Sequence, residues 1–165
     1  MNIAVKPTDS ERLAAGFLSR SHKNLIGGRW VEAQSGKTFE VHNPADGSVI
    51  ARVADSGKAD VDMAVAAARK AFEEGPWSKM TPTERAKLLF KLADTIDAHA
   101  DELALIETLD NGKPYKMARM GDVPGSAEKF RYFGGWCTKI TGQTVNSNRP
   151  GDFHLYTLRE PVGVC

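Results

Sequence analysis

Asp110 is the residue whose position most plainly asks for chemistry. The stretch Glu102-Leu-Ala-Leu-Ile-Glu-Thr-Leu-Asp-Asn-Gly-Lys-Pro-Tyr115 reads as a helix that stops hard. Leu103, Ile106 and Leu109 recur at three-residue steps, and Leu105 widens that face. Gly112 suits the left-handed position after a last helical turn, and Pro114 cannot continue the turn. Asp110 therefore falls where unpaired carbonyls already make the helix end negative, a local conflict of ~0.3–1 kcal/mol. A positive group is expected against it. Lys113 is the plain candidate, in a surface pair of small energetic weight. A bound cation is the other, because a carboxylate beside helix-end carbonyls is a hard oxygen donor set. Val41 and His42 add two main-chain carbonyls. They precede Asn43-Pro44, where the chain is extended and the proline has no donor, so those oxygens are free to point elsewhere.

The other reactive side chains are less pointed. Cys137 follows Trp136 on a helix and Cys165 closes an apolar run, a place for a small hydrophobe. Neither has a helix N-terminus or a neighbouring histidine to make it a thiolate. His22, His42, His99 and His154 are scattered without metal spacing. No Gly-x-Gly-x-x-Gly phosphate loop occurs, and Gly27-Gly28 and Gly134-Gly135 read as turn or packing glycines. Gly121 and Gly125 are four apart and share a helix face. They either open that face or give Pro124 an unhindered neighbour.

The elements that must position these residues follow from local signals. Residues 1–7 read as a disordered arm. Thr8-Asp-Ser-Glu11 matches a capping box, with Leu13, Ala14, Phe17 and Leu18 on one face of a helix to about Arg20. Leu25–Ala33 reads as a hairpin turning at Gly27-Gly28. Thr38–His42 and Ser48–Ala54 alternate like strands around the Asn43-Pro-Ala-Asp-Gly47 turn, and all four segments are expected in one small antiparallel sheet. A helix over Asp60–Phe72 carries the stripe Val61, Ala64, Val65, Ala68 and Phe72. Gly75-Pro76 ends it, with Trp77 packed beneath the turn. Thr81-Pro-Thr-Glu84 caps the next helix, which breaks near His99. A further helix begins near Lys113, is interrupted at Pro124 and restarts there with Asp122 near its cap. Gln143–Ser147 and Asp152–Arg159 form a last hairpin. A lone two-stranded ribbon is marginal in water, so it is expected to pair with another strand, in the same protein or in a second subunit.

The bulk composition excludes some classes. The chain has 165 residues, enough for one domain with a core, and its 41% hydrophobic and 26% charged residues suit a globular protein. Twenty-two basic and twenty-one acidic side chains nearly cancel, so charge favours neither nucleic acid nor an anionic membrane. No run approaches the ~18 apolar residues of a membrane span. The N-terminus has no long apolar stretch, and two cysteines without pairing spacing fit a reducing, cytoplasmic compartment.

Six stretches carry a family resemblance. Glu107-Thr-Leu-Asp-Asn-Gly-Lys-Pro114, Asn24-Leu-Ile-Gly-Gly-Arg-Trp30, Val41-His-Asn-Pro-Ala-Asp-Gly47, Ala64-Val-Ala-Ala-Ala-Arg69, Phe130-Arg-Tyr-Phe-Gly-Gly-Trp136 and Arg159-Glu-Pro-Val-Gly-Val-Cys165 stand in the order and spacing of NAD(P)-dependent aldehyde dehydrogenases. The chain resembles the N-terminal part of that family over nearly all of residues 24–165. The resemblance implies an α+β fragment, helices plus antiparallel hairpins with three or four helices, of an α/β Rossmann-like fold. It implies a reaction in which a cysteine thiolate attacks an aldehyde, hydride passes to NAD or NADP, and water releases the acid. The nucleophile and the general-base glutamate belong to a later segment, so no catalytic or cofactor-binding residue carries over. A monovalent cation is implied between Asp110 and the carbonyls of Val41 and His42. Gly121 and Gly125 match positions lining the aldehyde tunnel, where glycine would widen the mouth for a bulky aldehyde.

The same resemblance divides the chain. Residues 1–23 are expected as a flexible arm and short helix, 24–139 as the N-terminal part of the cofactor-binding domain, and 140–160 as a hairpin for association into a homo-oligomer, a dimer or tetramer. Residues 161–165 are expected to begin the first strand of the cofactor-binding sheet and to stop inside it. The alternative is a non-catalytic helical interaction module, against which the apolar Pro161-Val-Gly-Val-Cys165 ending argues.

Overall fold

The structure is a computed structural model that describes residues 8–165; the arm expected over residues 1–7 lies outside the described residues. Helix α1 (Asp9–Leu18) starts at Thr8, whose hydroxyl accepts from the Glu11 N–H while the Glu11 carboxylate returns to the Thr8 N–H. Strands β1 (Ser21–His22), β2 (Asn24–Ile26), β3 (Arg29–Val31), β4 (Thr38–His42) and β5 (Val49–Ala54) follow. Gly27 and Gly28 both take positive φ, 57° and 77°. That is the geometry of a tight hairpin turn, and it sets Leu25 opposite Trp30.

The strands do not form one antiparallel sheet, as expected. β2 and β3 pair only with each other, while β4 and β5 form a separate sheet. β1 joins that sheet parallel to β5, Ser21 opposite Arg52 and His22 opposite Val53. Two residues are too short to show a strand period, so β1 leaves no trace in the sequence.

The helical half is α2 (Lys58–Glu74), α3 (Pro82–Ala98), α4 (Ala100–Asn111), the single turn α5 (Tyr115–Met117) and α6 (Val123–Trp136). Five helices of ten residues or more are thus present among the described residues, rather than three or four. Asp60 sits at the third position of α2, where its carboxylate accepts the N–H of Gly57 and of Gln34, both at 2.9 Å. It is 3% exposed, a buried charge satisfied by two backbone donors. Thr81 and Glu84 close the expected capping box of α3. His99 ends α3 and opens α4, as the sequence predicts.

Pro124 does not interrupt the following helix. Tyr115–Met117, the π-helical turn Ala118–Asp122 and Val123–Trp136 run on without a break, and Met117, Ala118, Asp122 and Val123 all hold right-handed helical angles. The i→i+5 bonding of the π turn absorbs the irregularity, so Asp122 is a mid-helix residue, not a cap. Trp77 is half-exposed rather than packed beneath its turn. The last hairpin pairs only at β6 (Thr144–Val145) and β7 (Leu155–Tyr156). Residues 161–165 form no strand, since no neighbouring strand satisfies their backbone.

The core is made of small residues. Its buried apolar side chains are Ala14, Ala33, Ala86, Ala93, Ala100, Ala104, Ala118, Ala127 and Val123. The most extensive helix interface joins α3 to α6, where a methyl on Gly134 would lie 3.2 Å from Phe90 Cε1 and 3.3 Å from Leu89 Cβ. Arg131 of α6 ties the pair from outside, 2.8 Å from Asp94 and 2.6 Å from Asp97.

Gly112 is the joint between the helical and stranded parts. Its φ is +79°, and a methyl group on it would lie 2.7 Å from Cγ of Pro44. Both conditions exclude an L side chain. Gly112→Ala is expected to lower the unfolding free energy of the chain by ~1–3 kcal/mol in urea titration, and an unchanged midpoint would refute the joint.

Candidate functional site

The end of α4 meets the β4–β5 turn. The Gly112 N–H donates to Thr108 O at 2.9 Å, completing the last turn, and Pro44 lies against Gly112. On the strand side the ladder is irregular. Val41 faces Ala51 but His42 faces Val49, so Ile50 has no partner and the strand bulges. Bulges re-aim the groups beside them. Asn43 is buried, and its side-chain oxygen accepts the Ala45 N–H at 2.9 Å, which locks the turn. The His42 ring is occupied elsewhere, with Nδ1 3.1 Å from Gly47 O and Nε2 3.6 Å from Glu40. What His42 can offer toward α4 is its main-chain carbonyl.

Lys113 does not face Asp110. Its ammonium lies 2.5 Å from the Asp122 carboxylate, which raises its pKa. Pro114 and the single turn after it send the chain forward along the next helix, so Lys113 reaches onward rather than back. The Asp110 carboxylate is exposed and engages no cation among the described residues. The expected surface pair is thereby corrected, and the negative helix end keeps an open carboxylate.

Gly121 lies in the π turn, exposed, and Gly125 one turn later, half-buried. No atom lies within 4 Å of a Cβ built on either, apart from their own helix, so both face open space. The Arg119 guanidinium pairs with Asp101 at the start of α4, and the Tyr115 hydroxyl donates to the same carboxylate oxygen at 3.1 Å. Arg119 first, then Tyr115, hold the Asp101 carboxyl below its usual pKa. This cluster was not legible in the sequence. Asp101 and Arg119 are eighteen residues apart, and no local rule links them.

The remaining candidates stay apart. Cys137 is half-buried on the last turn before the hairpin, its thiol 3.6 Å from Phe133 O, and Cys165 is exposed. Among the described residues no three His, Cys, Asp or Glu side chains gather to hold a metal. Three buried polar atoms have no partner there: His22 Nε2, Asn24 Nδ2 and Thr108 Oγ1. No glycine-rich strand-to-helix turn is present to cradle a dinucleotide. No described helix is long and apolar enough to cross a membrane.

Comparison with known proteins gives this geometry its class. The family model "Aldehyde dehydrogenase family" matches residues 30–165. DhaS of Bacillus subtilis (strain 168) is 49% identical over 148 residues, 90% of this chain and 30% of its own length. The mitochondrial benzaldehyde dehydrogenase of Antirrhinum majus is 47% identical over 143 residues, covering 87% of this chain and 26% of itself. The NAD+ complex of aldehyde dehydrogenase from Bacillus cereus superposes with a TM-score of 0.86 at 48% identity, over 98% of this chain and 32% of that one. The chain belongs to the aldehyde dehydrogenase family. It spans about a third or less of the length of these relatives, and its helices and small sheets are a fragment of their α/β fold.

Proposed function

We propose that this chain is the N-terminal portion of an enzyme that oxidises an aldehyde to a carboxylic acid with NAD or NADP. The observation that carries the reading is the match of 98% of this chain to 32% of the Bacillus cereus enzyme, itself determined with NAD+. The attacking cysteine and the water-activating glutamate belong to a segment beyond Cys165. Cys137 and Cys165 lack the cationic neighbours that make a thiolate. When bound, the nicotinamide supplies the hydride acceptor. Nothing in the described residues fits the dinucleotide, so no step through it is assigned to them. What they contribute is scaffold and a tunnel wall, in a protein assigned to the cytoplasm on its two free thiols.

Gly121 and Gly125 form that wall and leave room for a bulky aldehyde. In the enzyme that carries this chain, Gly125→Met is expected to cut kcat/KM for an aromatic aldehyde by at least ~10-fold while sparing a two-carbon aldehyde. An unchanged preference would refute the wide mouth, and no NAD(P)-dependent oxidation of any aldehyde would refute the enzyme.

Asp110 and the carbonyls of Val41 and His42 hold a monovalent cation. The donor set fits, with an open carboxylate at a negative helix end beside a bulged strand, and the cation neutralises that end. Potassium or sodium at ten times its dissociation constant is expected to stabilise the chain by ~1.4 kcal/mol over tetramethylammonium at equal ionic strength. Asp110→Asn is expected to abolish the difference. Equal stabilisation of both proteins would exclude the site.

The hairpin over 140–160 joins subunits. β6 and β7 expose Val145, Leu155 and Tyr156 on a ribbon too short to stand alone. Replacing Leu155 and Tyr156 by Asp is expected to convert an oligomer to monomers in sedimentation analysis. Retention of the parent mass would assign association to another surface.

A further inference from the structure

The π turn Ala118–Asp122 is the least regular stretch of the helical half, and three observations show what holds it. Ala118 is 0% exposed and Val123 is 7% exposed, and both belong to one buried cluster with Ala100 and Ala104 of α4. Residues five apart in an α-helix point ~140° away from each other. In a π turn, which bonds i to i+5, they stack. The π turn is therefore what allows Ala118 and Val123 to enter the same cluster, after which Ala127, four residues on, resumes the α-helical stripe.

Two polar ties span the same turn. Lys113, before it, pairs with Asp122 at its end, 2.5 Å apart. Arg119, inside it, pairs with Asp101 at the start of α4, where Tyr115 also donates. The outward side of the turn carries Met117, Met120 and Gly121, all exposed, and leads to Gly125. Straightening the turn to an α-helix would rotate everything after it by about one residue, ~100°. Gly125 would then leave the side of the helix on which Gly121 opens.

We propose that Arg119, through Asp101, is a positioning residue for substrate selection: it holds the π turn in phase so that Gly121 and Gly125 open the same wall of the aldehyde tunnel. The inference rests on the tunnel reading above and adds its control. Arg119 does not touch the substrate. It fixes the azimuth of the glycines that do. The paired side chains are partly exposed, so the tie is worth little alone, and it acts by choosing between two helical phases of similar energy.

The test uses the enzyme that carries this chain and three forms of it: native, Arg119→Met and Arg119→Lys. Two readouts are taken, amide hydrogen exchange over residues 115–126 and the ratio of kcat/KM for an aromatic aldehyde to that for a two-carbon aldehyde. Arg119→Met is expected to speed exchange across the turn and lower the ratio ~3–10-fold, with kcat on the small aldehyde unchanged. Arg119→Lys is expected to restore both. An active Arg119→Met enzyme with an unchanged ratio, or loss on both aldehydes in equal proportion, would overturn the positioning role. A native protein that oxidises no aldehyde would fail the tunnel reading instead. Exchange alone then decides the tie, and an unchanged rate in Arg119→Met would overturn it.

Discussion

The spacing between helices governs this structure, and alanine sets it. Every buried apolar side chain is alanine except Val123. Where α3 meets α6, glycine replaces even the alanine, because Phe90 and Leu89 already fill the space at Gly134. Interhelical distance follows the size of the side chains at the contact. Small residues bring the backbones close and push the large ones to the rim. Hence Val61, Val65 and Phe72 of α2, Leu88 and Leu92 of α3, and Phe133 and Trp136 of α6 remain exposed. Apolar surface of that extent is what a protein covers when it meets further chain or a partner. The proposed place of the chain within a longer dehydrogenase supplies such a cover.

A second close approach joins the two halves. Gly112 and Pro44 touch at a distance that admits no Cβ, and Gly112 holds a left-handed conformation at the same time. One residue thus ends α4, turns the chain and seats it on the β4–β5 turn. The candidate cation ligands come from both sides of that joint. Asp110 stands two residues before Gly112, and Val41 and His42 stand just before Pro44. Redirecting Lys113 to Asp122 is part of the same arrangement, since a lysine folded back on Asp110 would neutralise it without an ion.

The polar ties behave differently from the packing. Arg119–Asp101, Lys113–Asp122 and Arg131 with Asp94 and Asp97 all lie at partly exposed positions. Such pairs add little to stability. Each nonetheless links elements whose relative rotation small, smooth alanine surfaces fix poorly. Packing brings these helices together, and the ion pairs select their phase.

The capping boxes at Thr8 and Thr81, the Gly27-Gly28 hairpin, the stop at Gly112 and the α2 stripe were all legible in the sequence, as was the family resemblance. Each depends on residues within one turn or one strand repeat, where local sterics and hydrogen bonding decide the outcome. The placement of β1 beside β5, the passage of the helix through Pro124, the partner of Lys113 and the Asp101–Arg119–Tyr115 cluster were not. These depend on which distant segments meet. A two-residue strand has no period of its own. A π turn forms here because Ala118 and Val123 must reach one cluster, a demand made by α4 and not by residues 115–124 themselves. The sequence by itself determined where the elements begin and end and which family they belong to. Only the tertiary structure decided which side of each helix is buried and which charges meet, because close packing between segments far apart in the chain outweighs the weak preferences of any short stretch.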